Sequence, residues 1–194
     1  MKTKDLKKRN NIRTLHYILK KESFKKNIDI QESMIIGIIS DSHDNIWNLE
    51  KAIKQMQEKS IDILIHCGDF CAPFIIDQLA AINLPVHCVF GNIDDRFTTT
   101  RKCDKFSNIT LHGEIAELEL DQKRIAVTHL PQFAKGLAHT GDYDIVFYGH
   151  THKNNCKKIE NTLLVNPGEI MGRLGKLGFA IYDTRLDKVE FFDI

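Results

Sequence analysis

Asp41-Ser42-His43, Gly68-Asp69, Gly91-Asn92, Thr128-His129 and Gly149-His150-Thr151-His152 follow one another along a chain of 194 residues. Together these fragments hold Asp41, His43, Asp69, Asn92, His129, His150 and His152, a set of carboxylate, amide and imidazole donors. Two adjacent ions of the Mn²⁺, Fe or Zn²⁺ kind accept such a mixture, provided the donors are fixed in space. In Asp41-Ser42-His43 and His150-Thr151-His152 the i, i+2 spacing turns both donors of each fragment to one side of an extended segment. Polar residues that merely cap strand ends are the plainer alternative. They do not account for seven suitable residue types in this arrangement.

Donors this far apart in sequence need a scaffold that gathers them. Met34 to Ser40, Ile61 to His66 and Val86 to Phe90 are apolar runs that end at the first three fragments, which marks them as buried strands. Between them, Asp44 or Asn45 caps a helix through about Lys59 with Ile46, Leu49, Ile53 and Met56 on one stripe, and Pro73 opens a short helix. Two right-handed βαβ steps follow from this order. Loops at the carboxyl ends of neighbouring parallel strands share one sheet edge, so the fragments converge there. Beyond this the pattern turns to β. Ile115 to Leu120 and Arg124 to His129 alternate about Asp121-Gln122 as a hairpin, which predicts a second sheet. Pro131 to His139 reads as helical and Ile145 to Tyr148 as a strand reaching the last fragment. Lys157 to Glu160 with Leu163 to Asn166, and Phe179 to Asp183 with Val189 to Phe192, complete the elements as paired strands.

D-x-H, GD, GN, a strand-end His and GHTH in this order resemble the calcineurin-like metallophosphoesterases. The closer likeness is to their small YfcE-like phosphodiesterases, supported by Ile35-Ile36-Gly37-Ile38-Ile39-Ser40, Ile65-His66-Cys67-Gly68-Asp69-Phe70 and Val165-Asn166-Pro167-Gly168-Glu169. It runs from about Met34 to Ile194. The resemblance implies an α/β fold of two packed mixed β-sheets flanked by helices. It assigns one metal ion to Asp41, His43, Asp69 and His152 and the other to Asp69, Asn92, His129 and His150, so that Asp69 is the bridge. A shared carboxylate and hydroxide would offset the repulsion between two cations roughly 3.5–4 Å apart. The implied reaction is hydrolysis of a phosphodiester by the metal-bridging hydroxide, with no further catalytic side chain. Manganese is the expected metal, and Ni²⁺, Fe²⁺, Zn²⁺ or Co²⁺ would also fit such a site. The expected substrate is a small phosphodiester, with nucleotide-derived esters among the candidates.

Two positions depart from the pattern. Many relatives carry a His after the GN motif that can protonate the leaving group, whereas this chain has Ile93; losing a general acid costs roughly 10²–10⁴ in rate for a poor leaving group. Diesters with acidic leaving groups, such as aryl esters, should therefore react faster than alkyl ones. Leu130 stands where relatives usually place Gly, often followed by His, and it would reshape the mouth of the site. Two alternatives carry over from the same resemblance. One is an inactive protein-binding scaffold, as in the retromer subunit of this fold, and the other a phosphomonoesterase or protein phosphatase.

Several residues are read as ordinary structure. His16, His66, His87, His112 and His139 lie outside the matching motifs and are expected at the surface or in the core, with His139 the best outsider for acid catalysis. Arg96 and Arg173 suit phosphate in type but are expected to be solvated or ion-paired. Trp47 is expected to pack on its helix. Cys67, Cys71, Cys88, Cys103 and Cys156 are odd in number and irregular in spacing, so reduced thiols in a cytoplasmic protein are expected.

The net charge of +1 conceals an uneven split: residues 1–33 carry about +6 and the remainder about −5. An acidic domain is poorly suited to a nucleic-acid backbone. No apolar run is long enough for a membrane span, and oligomerisation is left open. Residues 1–33 are read as a basic extension, either a loose tail or the product of an upstream start assignment, with 34–194 as the metallophosphoesterase domain. Ile12, Leu15, Ile18 and Leu19 would also allow a short amphipathic helix over Asn11 to Lys21 that lies on a surface or a partner.

Overall fold

The computed structural model describes residues 33–194. The proposed helix over Asn11 to Lys21, and nearly all of the basic extension, lie outside the described residues.

Apolar runs of four or five residues form the central strands, which are covered on both faces. Strand β1 (Ile35–Ile39) pairs in parallel with β2 (Ile63–His66), which pairs with β3 (Val86–Cys88) and then β4 (Ile109–Leu111). Helices α1 (Ile46–Glu58), α2 (Ile75–Ala80) and α3 (Arg96–Cys103) make the crossovers. The C-terminal hairpin of β10 (Gly178–Asp183) and β11 (Lys188–Asp193) adds to the other edge of β1, giving the order β11-β10-β1-β2-β3-β4. A second sheet has the order β5-β6-β7-β9-β8. Its strands are β5 (Ile115–Leu120), β6 (Lys123–Thr128), β7 (Ile145–Phe147), β8 (Asn155–Ile159) and β9 (Thr162–Asn166), with helix α4 (Pro131–Thr140) between β6 and β7.

The expected architecture of two packed mixed sheets with flanking helices is the one found. Alternation along each strand divides the core. Ile36, Ile38, Ile63 and Ile65 of the first sheet meet Ile125, Val127, Ile145 and Phe147 of the second in a fully apolar middle layer. Ile39 and Leu64 face the other way, onto Leu49, Ala52 and Met56 of α1 and Ile76 and Leu79 of α2. Ala126, Val146 and Leu164 pack beneath Ala134 and Ala138 of α4. At about 25 cal/mol per Å² of apolar surface removed from water, these three layers supply the main stabilisation.

Local signals set the helix ends. Asn45 caps α1 by accepting the Asn48 N–H at 3.1 Å. Helix α2 begins two residues after Pro73, because the Ile75 and Ile76 N–H groups bond to Ala72 and Pro73 carbonyls three residues back, a tight turn that leads into the helix. Pro131 opens α4 and Gly141, in the left-handed region, ends it.

Candidate metal centre

Every predicted donor follows a strand end on the same side of the molecule's two sheets. Asp41 and His43 follow β1, Asp69 follows β2, Asn92 follows β3, His129 follows β6, and His150 and His152 follow β7. They converge into two groups whose donor atoms lie within 4.8 Å of one another: Asp41, His43 and His152, and Asp69, His129 and His150. Asp69 faces both, with its Oδ2 3.7 Å from His43 Nε2 and 3.2 Å from His129 Nε2. Asn92 Oδ1 reaches the second group, 3.1 Å from His129 Nε2 and 2.9 Å from His150 Nδ1.

The backbone here departs from regular structure to aim these groups. Asp41, His43, Asp44, Asp69, Cys71, His150 and His152 all have φ between 42° and 70°, a left-handed conformation that costs non-glycine residues about 1–3 kcal/mol each. Cross-loop bonds hold it: Asp41 N–H donates to the Gly68 carbonyl, His43 N–H to the Asp69 carbonyl, and His150 N–H to Asp41 Oδ2, all at 3.0 Å. The glycines of the GN and GH fragments are explained by close approach. A Cβ on Gly91 would stand 1.9 Å from Asp69 Oδ1, and one on Gly149 2.0 Å from Ser40 Oγ. The loops therefore touch through glycine.

Outside the donors lies a layer that sequence reading missed. Glu169, fully buried, binds His152 Nδ1 through Oε2 at 2.5 Å and accepts the N–H groups of Arg173, Leu174 and Gly175 through Oε1. His129 Nδ1 bonds to the Cys67 carbonyl at 2.9 Å. Each of these two rings thus has Nδ1 engaged and Nε2 turned inward, toward Asp41 for His152 and toward Asp69 and Asn92 for His129, the arrangement that orients metal-binding imidazoles. Asp94 accepts from Asp69, Cys71 and Gly91 N–H and ties the second fragment to the third. Asp44 accepts from Ala72 at 2.8 Å. A carboxylate directly after D-x-H, as at Asp44, or three residues after the Gly of GN, as at Asp94, is an available sequence signal for such a tie; Glu169 had only its place in the Val165–Glu169 stretch.

Electrostatics follow from this crowding. Burial works against the ionised form of Asp69, but His129 outweighs it and holds the carboxyl below its usual range. Burial likewise opposes charge on His129, which Asp69 then raises above the ordinary histidine value. Glu169 is held low against burial by its three N–H donors and His152. Asp94 moves the other way: burial raises it despite its N–H partners.

His43 Nε2 is buried, has no hydrogen-bond partner and stands between two carboxylates at 3.7 and 3.8 Å. A cation between them satisfies all three groups, so the residues present fit a metal-binding role.

The remaining sequence-predicted residues are placed as follows. His66 is a core histidine: Gly68 N–H donates to its Nδ1, which leaves Nε2–H to donate to Ser42 Oγ at 3.0 Å. His87 and His112 pair with each other at 2.7 Å. His139 is exposed and 3.8 Å from Glu160. Arg96 is paired with Glu114 at 2.7 Å. Arg173 is exposed, and its backbone serves Glu169. The five cysteines are all free, with Cys67, Cys88 and Cys103 buried. Trp47 corrects an expectation: it is 69% exposed, because it falls on the side of α1 opposite Leu49, Ala52 and Met56. His16 lies outside the described residues. Among the described residues, no helix is long and apolar enough to cross a membrane.

Two facing sheets whose strand-end loops gather carboxylate, amide and imidazole donors define a class of phosphoesterases. Residues 34–187 match the family model of the calcineurin-like phosphoesterase superfamily domain, and the chain belongs to that superfamily. A Methanocaldococcus jannaschii protein named as a phosphodiesterase is 32% identical over 165 residues, which cover 83% of this chain and 98% of that protein. A solved structure described as a novel archaeal phosphodiesterase has a TM-score of 0.77 at 29% identity, covering 83% of this chain and 100% of that one. The phosphoesterase YfcE from E. coli shares the fold, with a TM-score of 0.59 at 16% identity over 83% of this chain and 100% of its own.

Proposed function

We propose that this protein is a phosphodiesterase that works with two divalent metal ions, one held by Asp41, His43, Asp69 and His152 and the other by Asp69, Asn92, His129 and His150. The observation that carries this reading is the position of Asp69 Oδ2, which faces His43 Nε2 at 3.7 Å and His129 Nε2 at 3.2 Å and so offers one carboxylate to both groups. When bound, such ions supply Lewis-acid activation of water and of the phosphoryl oxygens. Manganese is our assignment, with Ni²⁺, Fe²⁺, Zn²⁺ or Co²⁺ able to substitute.

The chain's own contribution is position and charge. Glu169 and the Cys67 carbonyl fix the His152 and His129 rings, and Ile93 N–H donates to Asp69 Oδ1 at 3.2 Å, which holds the shared carboxylate in one orientation. Ile93 itself has no proton to give. The leaving oxygen must then depart without help from that position, which restricts good substrates to small diesters with acidic leaving groups.

The test uses chelator-stripped protein, a chromogenic aryl phosphodiester, added Mn²⁺ and an Asp69→Asn variant. Metal-dependent turnover that the variant loses, and that exceeds turnover of the matching monoester, is the expected result. A protein that binds no divalent metal and turns over nothing would instead be a scaffold of this fold.

A further inference from the structure

A cleft of about 80 Å³ adjoins the candidate metal centre, and Asn92 and His129 are part of its wall. A single water needs roughly 10–15 Å³, so this is room for several waters or for one planar ring. Phe90, Leu130 and Phe133 give the cleft apolar surface, with Phe133 on the first turn of α4 and 44% exposed. Arg96 also lines it, but its guanidinium is 2.7 Å from Glu114 and 5.3 Å from the centre of the Phe90 ring. With that cation already paired, the cleft is a poor place for a second phosphate and a good one for an uncharged ring.

The absence of a proton donor at position 93 points to the same ester substituent. Ile93 follows Asn92 and is 47% exposed, so a leaving group next to Asn92 receives no proton from that position and departs most readily as a stable anion. Phenolates meet that demand and simple alkoxides do not. Resting on the phosphodiesterase reading above, we propose that this cleft is the leaving-group subsite and that it selects diesters whose departing group is an aryl ring, held by Phe133. In the reaction water adds to phosphorus, the aryl P–O bond breaks with its electron pair passing to the phenolate, and the proton released by water goes to solvent.

The experiment separates the ring from its acidity. Two methyl phosphodiesters, one with a 4-nitrophenyl and one with a fluorinated alkyl leaving group of matched acidity, are hydrolysed by the Mn²⁺-loaded full chain. In parallel, binding of phenylphosphonate and methylphosphonate, which contain no ester to cleave, is measured by calorimetry. The wild type should favour the aryl ester in kcat/KM and bind phenylphosphonate about ten-fold more tightly than methylphosphonate. Phe133→Ala should remove most of both preferences, and Phe133→Tyr should keep them. Phe133→Leu, which loses the ring but keeps bulk, replaces the alanine variant if circular dichroism shows that one unfolded. Equal effects of Phe133→Ala on both esters, or no phenyl preference in the wild type, would overturn the proposal. If neither ester is turned over, the phosphodiesterase reading fails by itself. The phosphonate comparison then decides the cleft.

Discussion

At the scale of single residues, the candidate metal centre depends on groups outside its seven donor residues. Glu169 orients His152 and is itself held by three N–H groups, so Glu169→Gln keeps the shape and weakens the bond to Nδ1. Loss of such an outer partner costs roughly 10–100-fold in metal affinity or activity. Mn²⁺ titration of this variant should show a loss in that range with an unchanged circular dichroism spectrum. His66 makes a different prediction, about pH. Burial depresses it from 6.5 to about 3, so the unfolded chain binds a proton that the folded chain refuses throughout that window. Stability is complete above the unfolded value and falls as the pH drops toward the folded one, at up to about 1.4 kcal/mol per pH unit. Denaturant melts of metal-free protein should show that slope, and His66→Asn should lose it, so that the difference between the two proteins carries the pH dependence. The donors were legible in sequence because each fragment carries its own spacing. Glu169 and Asp94 were not, since their roles depend on contacts 17 and 25 residues away in the chain.

At the scale of elements, strand ends and their loops act as one assembly. Asp94 is the clasp, accepting N–H groups from both the Asp69 loop and Gly91. Asp94→Ala leaves three donors without that acceptor. A buried donor left unpaired costs about 1–3 kcal/mol, so thermal melting should fall and Mn²⁺ affinity with it. A melt and a titration equal to wild type would show that water replaces the carboxylate. Long apolar runs and the hairpin turns could be read from sequence, and thirteen of the fifteen described elements were anticipated within a few residues of their bounds. Helix α3 and strand β4 were missed for physical reasons. Arg96–Cys103 carries three consecutive threonines and little amphipathic pattern, so only the Asp95 cap, accepting Thr98 N–H at 3.1 Å, marks its start. Strand β4 is three residues long, too short for a period to show.

At the scale of the whole molecule, the centre is built across both sheets. Asp41, His43, Asp69 and Asn92 come from loops of one sheet, and His129, His150 and His152 from loops of the other. A metal that binds only the folded arrangement adds stability by mass action, about 2.7 kcal/mol at a hundred times its dissociation constant. Chelation should lower the melting temperature in one cooperative step, and titration with Mn²⁺ should restore it. A melt that ignores metal would place no ion at these residues. Sequence patterning foretold two sheets, while the pairing that closes the first one was out of its reach. β10 lies against β1 in antiparallel register, Ile35 opposite Asp183, across nearly the whole described length.

That pairing sets an order of events during synthesis. Among the described strands Ile35–Ile39 leaves the ribosome first, yet one of its edges has no partner until Gly178–Asp183 follows. A nascent chain therefore carries an open, strongly apolar strand edge until β10 emerges, the kind of surface that recruits other strands. Chaperone capture or aggregation should fall mainly on chains stalled or cut before β10, and far less on chains released after it.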